Sequence, residues 1–153
     1  MNFRTSQVRK GSLLPLMLGM FVATSCRNGE PKPVVIDKDD MCSFCRMAIS
    51  EKRYAAEVID NDGQAFKFDD ITCMTSYANF DGRREKLAAY FVIDFNAPEW
   101  IKAEEAHYVK SLQFRTPMSG GIVAFKDQTE AEEAAARFQG TALTFDQLTR
   151  KEQ

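Results

Sequence analysis

The alternation of apolar and polar side chains between Arg53 and Asp60 predicts a half-buried β-strand. The turn sequence Asn61-Asp62-Gly63 follows it and is typical of a β-hairpin, with Ala65–Phe68 as the returning strand. Asp69 and Asp70 then precede apolar side chains at helical spacing, so both aspartates are candidate caps of a helix. Residues 39–86 are therefore predicted to form a ββα unit.

The second half of the chain has the same order of elements. Ala88–Phe95 is an apolar run typical of a buried strand, and a loop containing Trp100 is predicted after it. Further strands are predicted around His107–Phe114 and at Ile122–Phe125, followed by a helix over Glu130–Phe138. Residues 87–153 are therefore predicted to form a second ββα unit.

A short internal repeat supports this division. Phe68, Asp70 and Thr72 recur as Phe125, Asp127 and Thr129, each 57 residues later. Asp127 is accordingly a candidate helix cap, and a short helix at Phe145–Arg150 is predicted to close the chain. The fold class is α+β, with two similar small ββα units whose strands are antiparallel.

The first thirty residues have the pattern of an export signal. A basic start without acidic residues leads into the apolar stretch Leu13–Ala23, which is too short to cross a bilayer as a helix. Residues 1–25 are therefore predicted to be a signal peptide. Small residues directly before Cys26 resemble a bacterial lipoprotein cleavage box, which makes Cys26 the lipidation site and residues 26–38 a tether. The alternative is an ordinary signal peptide cut nearby, with Cys26 unmodified.

Charge and composition exclude several classes of function. The net charge is −2, and removing residues 1–25 leaves 17 basic against 22 acidic residues, about −5, which excludes a nucleic-acid partner. A single histidine excludes most zinc enzymes and Ser–His or Cys–His catalysis. The 4 cysteines and 7 methionines are the unusual feature of the composition.

The sulfur atoms concentrate between residues 41 and 47. Cys42 and Cys45 have a spacing that lets two thiolates converge on one ion, and it is equally the spacing of a redox disulfide. A structural zinc site would need Cys73 and His107 as further ligands, which lie far away in the sequence. A thioredoxin-like motif would open a helix, whereas a hairpin follows here.

The methionines favour copper. Met47 lies two residues after Cys45, so in an extended turn both side chains face the same way. Met118 lies in a Pro-Met-Ser-Gly-Gly loop without core periodicity, whereas Met74 has helical spacing and is predicted to pack in the core. Thiolate and thioether ligands together select Cu(I).

Three motifs in this order resemble the NosL family, the copper-binding accessory lipoproteins of nitrous oxide reductase maturation. They are Cys45-Arg-Met47, Phe68-Asp-Asp-Ile-Thr-Cys-Met74 and Thr116-Pro-Met-Ser-Gly-Gly-Ile-Val-Ala-Phe125. The resemblance implies an organomercurial-lyase-related fold and one Cu(I) held by a cysteine, a methionine and a histidine or carboxylate. It also implies delivery of copper to nitrous oxide reductase, with the associated ABC-type maturation system as a second partner, at the periplasmic face of a membrane.

Carried over residue by residue, the resemblance makes Cys45, Met47 and Met118 the metal ligands. Cys42 matches a cysteine that only some members have and is a secondary ligand or a resolving partner. For Cys73, a ligand and a packed thiol are equally good interpretations.

Electrostatic expectations accompany this assignment. We expect the helix N-terminus to lower the pKa of Cys73, and Arg46 to lower that of the neighbouring thiolates. The family usually has Cys-Gly-Met where this chain has Cys45-Arg46-Met47, so backbone freedom differs at this turn. His107 matches no motif and is predicted to be a surface or packed side chain.

Competing functions stay open at this point. The leading hypothesis is a membrane-anchored Cu(I) delivery protein that is not an enzyme. The alternatives are a thiol oxidoreductase using Cys42 and Cys45, a lyase by analogy of fold, and a structural lipoprotein that binds zinc.

Overall fold

The computed structural model describes Met1 and residues 29–150. Apart from Met1, the predicted signal peptide and Cys26 lie outside the described residues. Among the helices that are described, none is long and apolar enough to cross a membrane.

The first sheet contains four antiparallel strands in the order β2-β1-β3-β4. The strands are β1 (Ala56–Asp60), β2 (Ala65–Phe68), β3 (Leu87–Ile93) and β4 (Trp100–Lys102). Helix α1 (Ile71–Asn79) follows β2, as predicted. Strands β3 and β4 follow the boundary predicted at residue 87, yet they extend the sheet of the first unit. Strand β4 lies where the sequence predicted a loop.

The second sheet contains three antiparallel strands in the order β6-β5-β7. These are β5 (His107–Lys110), β6 (Ile122–Phe125) and β7 (Thr141–Leu143), with helix α2 (Gln128–Arg137) between β6 and β7 and helix α3 (Phe145–Thr149) after β7. Strand β7 was not predicted, because three mostly exposed residues carry no usable alternation.

The internal repeat corresponds to a repeated local structure. The Asp70 side chain accepts a hydrogen bond from the Thr72 N–H at the start of α1, and Asp127 accepts one from the Thr129 N–H at the start of α2. Each aspartate satisfies an N–H group that has no partner within its own helix. The prediction of an α+β fold with ββα order is confirmed.

One apolar core joins the two units. Val58 and Phe68 of the first sheet and Met74 of α1 are fully buried together with Tyr108 of the second sheet. Asp94, directly after β3, strengthens the junction because its buried carboxylate accepts a hydrogen bond from the Lys126 N–H at 2.7 Å. The first helix is therefore packed on both sides, which gives the site residues it carries a fixed position.

The segment before the first sheet contacts the fold at Glu30, which forms an exposed ion pair with Lys102, and is hydrogen-bonded to it from Val34 onward. The buried Glu57 carboxylate accepts the Val34 N–H at 3.0 Å, and the Lys67 ammonium donates to the Val35 carbonyl at 2.7 Å. Ile36 is buried in a small cluster of its own. Burial raises the pKa of Glu57, while the Val34 N–H and the Lys67 charge lower it. The part of the predicted tether from Val34 to Ile36 is therefore bound to the domain.

Candidate metal site

A closed turn carries the first two cysteines. Met41 and Ala48 form an antiparallel bridge at its base. Inside it, the Cys42 N–H donates to the Met47 carbonyl at 2.8 Å, and the Arg46 N–H donates to the Cys42 carbonyl at 3.1 Å. Because the chain folds back within so few residues, Cys42 and Cys45 face the same interior.

Contacts with strand β2 fix the position of this turn. The Ser43 N–H donates to the Lys67 carbonyl at 2.8 Å, so the turn extends the edge of the first sheet. The Lys67 ammonium also forms an ion pair with Asp40 at 2.5 Å. This hydrogen bond holds the pKa of Asp40 below its ordinary value. Strand β2 runs on from the turn contact to Asp69 and α1.

Four donor side chains converge where the turn meets the start of α1. Ligand atoms of Cys42, Cys45, Asp69 and Cys73 all lie within 4.8 Å of one another. Cys42, Asp69 and Cys73 are buried, and Cys45 is partly exposed. All three cysteines are free thiols. We call these four residues the thiol cluster.

Asp69 is the member of the cluster that the sequence did not predict. Its Oδ1 accepts a hydrogen bond from the Cys45 thiol at 3.4 Å, and its buried Oδ2 has no partner among the described residues. An orphaned carboxylate oxygen beside three thiols suits a bound cation, because an unpaired buried acceptor is costly. The donor set therefore fits a metal ion.

The prediction that Asp69 caps the helix is wrong, since Asp70 alone caps α1. One signal was present in the sequence. Only one residue can be the cap, and in extended backbone its neighbour faces the opposite side. The second aspartate was thus free for another role.

The predicted lowering of the Cys73 pKa is also wrong. Burial raises the pKa of Cys73, and the neighbouring Cys42 and Asp69 raise it further. Burial likewise raises the pKa of Cys45, against a lowering contribution from the Met47 N–H, and Arg46 is not among the causes. Desolvation outweighs the helix terminus because the Cys73 side chain is almost entirely removed from water.

The loop with Met118 is attached to the same helix start. The Met118 N–H donates to Asp70 Oδ2 at 3.0 Å. A Cβ atom at Gly120 would lie 1.9 Å from Thr72 Oγ1, so glycine is required for the loop to approach α1 this closely. The Met118 loop and the start of α1, which are far apart in the sequence, are therefore neighbours in the structure.

The remaining candidate residues differ in burial and in position. Met47 and Met118 are exposed, with 44% and 38% of their surface accessible, and Met74 is fully buried in the core as predicted. His107 lies on β5 opposite Phe125, partly buried and outside the thiol cluster. In the described part of the chain, the fourth donor beside the three cysteines is thus Asp69 rather than His107.

Comparison with known proteins decides the family. The NosL family model matches residues 33–153. The chain belongs to the NosL family. The fold is similar to the crystal structure of the copper chaperone NosL from Shewanella denitrificans, with a TM-score of 0.73 and 20% identity over 81% of this chain and 100% of that one. No curated protein sequence matches the chain.

Membership of the NosL family confirms the resemblance carried by the three sequence motifs. Arg46, in the turn between Cys45 and Met47, has a φ of +68°, in the left-handed region that favours glycine. Glycine adopts this conformation without strain, whereas arginine does not. This NosL sequence therefore keeps the turn geometry at an energetic cost.

We expect Arg46→Gly to stabilise the chain by about 1 kcal/mol, because it relieves the left-handed strain. Urea unfolding measured by circular dichroism checks this value. Arg46→Ala is the matched control, since it removes the charge and keeps the Cβ atom. Equal stabilisation by both variants would show that charge, and not backbone strain, is responsible.

Proposed function

We propose that this NosL protein binds Cu(I) through the thiol cluster and delivers it for assembly of the copper centres of nitrous oxide reductase. The observation that carries the proposal is the convergence, within 4.8 Å, of three thiols and a carboxylate that has one buried oxygen without a partner among the described residues. Family membership and the similarity to a copper chaperone from Shewanella denitrificans support it.

The chemistry of the donors supports a soft ion. Thiolate ligands from Cys42, Cys45 and Cys73 favour Cu(I), which is satisfied by two or three sulfur atoms. Two exposed methionines lie on segments attached to the cluster, and thioethers add affinity for Cu(I) but little for zinc. Copper is cargo here, so its site must also let it leave.

Zinc is the second candidate, favoured by the presence of Asp69. Three thiolates and one carboxylate are an acceptable closed set for tetrahedral Zn(II). Such a site would be structural and would make the chain a zinc-binding lipoprotein rather than a delivery protein. Titration with both metals separates the two functions.

A thiol oxidoreductase or a lyase fits the cluster less well. The pKa values of Cys45 and Cys73 are raised by burial, whereas a reactive thiol requires a lowered pKa. The similarity to a copper chaperone likewise supports a metallochaperone rather than an enzyme.

We expect the full chain, reduced and with Cys26→Ser to remove the thiol outside the described residues, to bind one Cu(I). Cys42→Ser or Cys73→Ser should weaken Cu(I) binding at least about tenfold, the scale on which altered metal surroundings change affinity. Asp69→Asn should weaken it less than either, because Cu(I) prefers sulfur, while the exposed Asp39→Asn serves as the matched control. Competition with bicinchoninate measures the affinities.

Two results would contradict this assignment. Cu(I) affinity indifferent to all three cysteines would exclude the thiol cluster as the copper site. Zn(II) affinity that depends on Asp69 and survives Cu(I) competition would favour the structural zinc site.

Delivery is tested in a denitrifying bacterium that lacks its own NosL. We expect the wild-type chain to restore the copper content of purified nitrous oxide reductase, and Cys45→Ser to leave the enzyme copper-deficient, because the partly exposed thiol is lost. The copper content per reductase is the measurement. Full restoration by Cys45→Ser would refute delivery through this cluster.

We propose further that the chain is exported, anchored through lipid on Cys26 and active at the periplasmic face of a bacterial membrane. The signal-peptide pattern of residues 1–25 and the small residues before Cys26 support this. Cys26→Ser is expected to move the chain from the membrane fraction to the soluble fraction, because the acyl chains supply the anchoring. Immunoblotting of both fractions checks this, and an unchanged distribution would contradict the anchor.

A further inference from the structure

We infer that Lys67 is a positioning residue of the copper site and that it connects this site to residues 34–36, which we call the strap. In this inference neither Lys67 nor any residue of the strap is a ligand. The inference rests on the proposed copper binding and identifies the part of the fold that holds the cysteine-bearing turn in its binding geometry.

The strap lies on the face of the first sheet that is opposite helix α1. Glu57 of β1 and Lys67 of β2 are direct partners in the antiparallel register, so their side chains project from the same face. Val58, the neighbour of Glu57, alternates to the other face and packs in the core with α1. The Glu57 carboxylate accepts the Val34 N–H. The Lys67 ammonium donates to the Val35 carbonyl, so hydrogen bonds hold the strap to both strands.

The same lysine holds the cysteine-bearing turn at two points. Its ammonium pairs with Asp40 at the base of the turn, and its carbonyl accepts the Ser43 N–H inside the turn. Asp40 is itself tied to the returning side of the turn, because its carbonyl accepts the Ile49 N–H at 3.0 Å. Loss of the ammonium would therefore release the base of the turn and the strap together, while the carbonyl contact would remain.

The surroundings of Lys67 are unusual for a lysine. Only 19% of its side chain is accessible, whereas lysine side chains are mostly exposed. Confining a long, flexible side chain between two fixed acceptors costs conformational entropy, and ion pairs that keep contact with water contribute little stability in return. What the confinement does provide is a fixed distance between the strap, β2 and the turn.

This fixed distance matters because the thiols come from two segments. Cys42 and Cys45 move with the turn, whereas Cys73 belongs to α1. A single ion contacts all three sulfur atoms only if the turn is held against the helix. Groups that orient ligands without binding the metal commonly change metal affinity by about 10-fold to 100-fold.

The test measures Cu(I) affinity and the number of sulfur ligands separately. The full chain in the Cys26→Ser background is used, with bicinchoninate competition for the affinity and copper X-ray absorption for the ligands. Lys67→Met keeps the apolar stem and the backbone carbonyl. We expect it to lower the affinity about tenfold and to reduce the number of sulfur atoms per copper, because the turn cysteines are no longer held opposite Cys73. Lys67→Arg should restore the sulfur count, since guanidinium also donates to both acceptors.

A second variant tests the strap. Val34→Pro removes the N–H that the Glu57 carboxylate accepts and leaves Lys67 unchanged. We expect it to weaken Cu(I) binding about threefold, the scale of one hydrogen bond. Added to Lys67→Met it should cause no further loss, because the connection between the strap and the turn is already broken.

Arg84→Met is the matched control. The Arg84 guanidinium donates to the Thr149 carbonyl and to Thr149 Oγ1, both at 2.7 Å, so it also joins two segments that are distant in sequence. It follows the end of α1, whereas the thiol cluster lies at the start of that helix. We expect a lower midpoint of thermal unfolding with the Cu(I) affinity and the sulfur count unchanged.

Four results would overturn the inference. They are parental affinity in Lys67→Met, a sulfur count that arginine does not restore, an additive loss in the double variant, and an equal loss of affinity in Arg84→Met, which would assign the effect to general stability. Circular dichroism confirms that each variant is folded. Failure of the parent chain to bind Cu(I) would instead refute the proposed function itself.

Discussion

The two oxygens of Asp70 hold the site together. One oxygen accepts the Thr72 N–H and fixes the start of α1, and the other accepts the Met118 N–H and fixes the loop from the second unit. Asp70 is fully buried, so both hydrogen bonds form in a low-dielectric environment where they are strong and their loss is costly. Asp69 and Cys73 lie within three residues of this carboxylate, so their positions depend on it.

Around this carboxylate, burial sets the chemistry of the thiols. Desolvation favours the protonated thiol at Cys45 and Cys73, which makes these two thiols little reactive in the absence of a metal. A metal must displace these protons to bind, so occupancy is coupled to pH, with tighter binding as the pH rises. If the chain is exported, as we propose, protonated thiols of this kind suit cysteines that must not be trapped as disulfides in an oxidising compartment.

Much of the fold could be predicted because its local signals agree with its tertiary structure. The hairpin around Gly63 and the two aspartate caps rest on hydrogen bonds between residues close in sequence, and the strand Ile122–Phe125 is marked by its own apolar run. Strands β4 and β7 were missed since three residues are too few to show a period, and they are held by their partner strands. The assignment of β3 to the first sheet is likewise a long-range pairing that no local pattern contains.

The candidate site was predicted as residue types but only partly as an arrangement. The spacing of Cys42 and Cys45 indicated a shared interior, and the loop around Met118 indicated a role outside the core. The inclusion of Cys73 and Asp69 depends on how α1 packs beneath the turn, which spacing alone does not determine. The pKa of Cys73 was predicted with the wrong sign for the same reason: a helix terminus is local, whereas burial is a property of the whole fold.

The hydrogen bond from the Val34 N–H to the Glu57 carboxylate limits how far the domain can lie from an anchor on Cys26. If Cys26 carries the lipid anchor, as we propose, only seven residues lie between it and Val34, whose N–H is hydrogen-bonded to the domain. Even fully extended, the eight residue steps from Cys26 to Val34 span at most about 29 Å. The Lys67 ammonium donates a hydrogen bond to the Val35 carbonyl, and the Lys67 carbonyl accepts one from the Ser43 N–H of the cysteine-bearing turn. The domain is then held close to the membrane, so any protein that collects the metal must approach the bilayer surface.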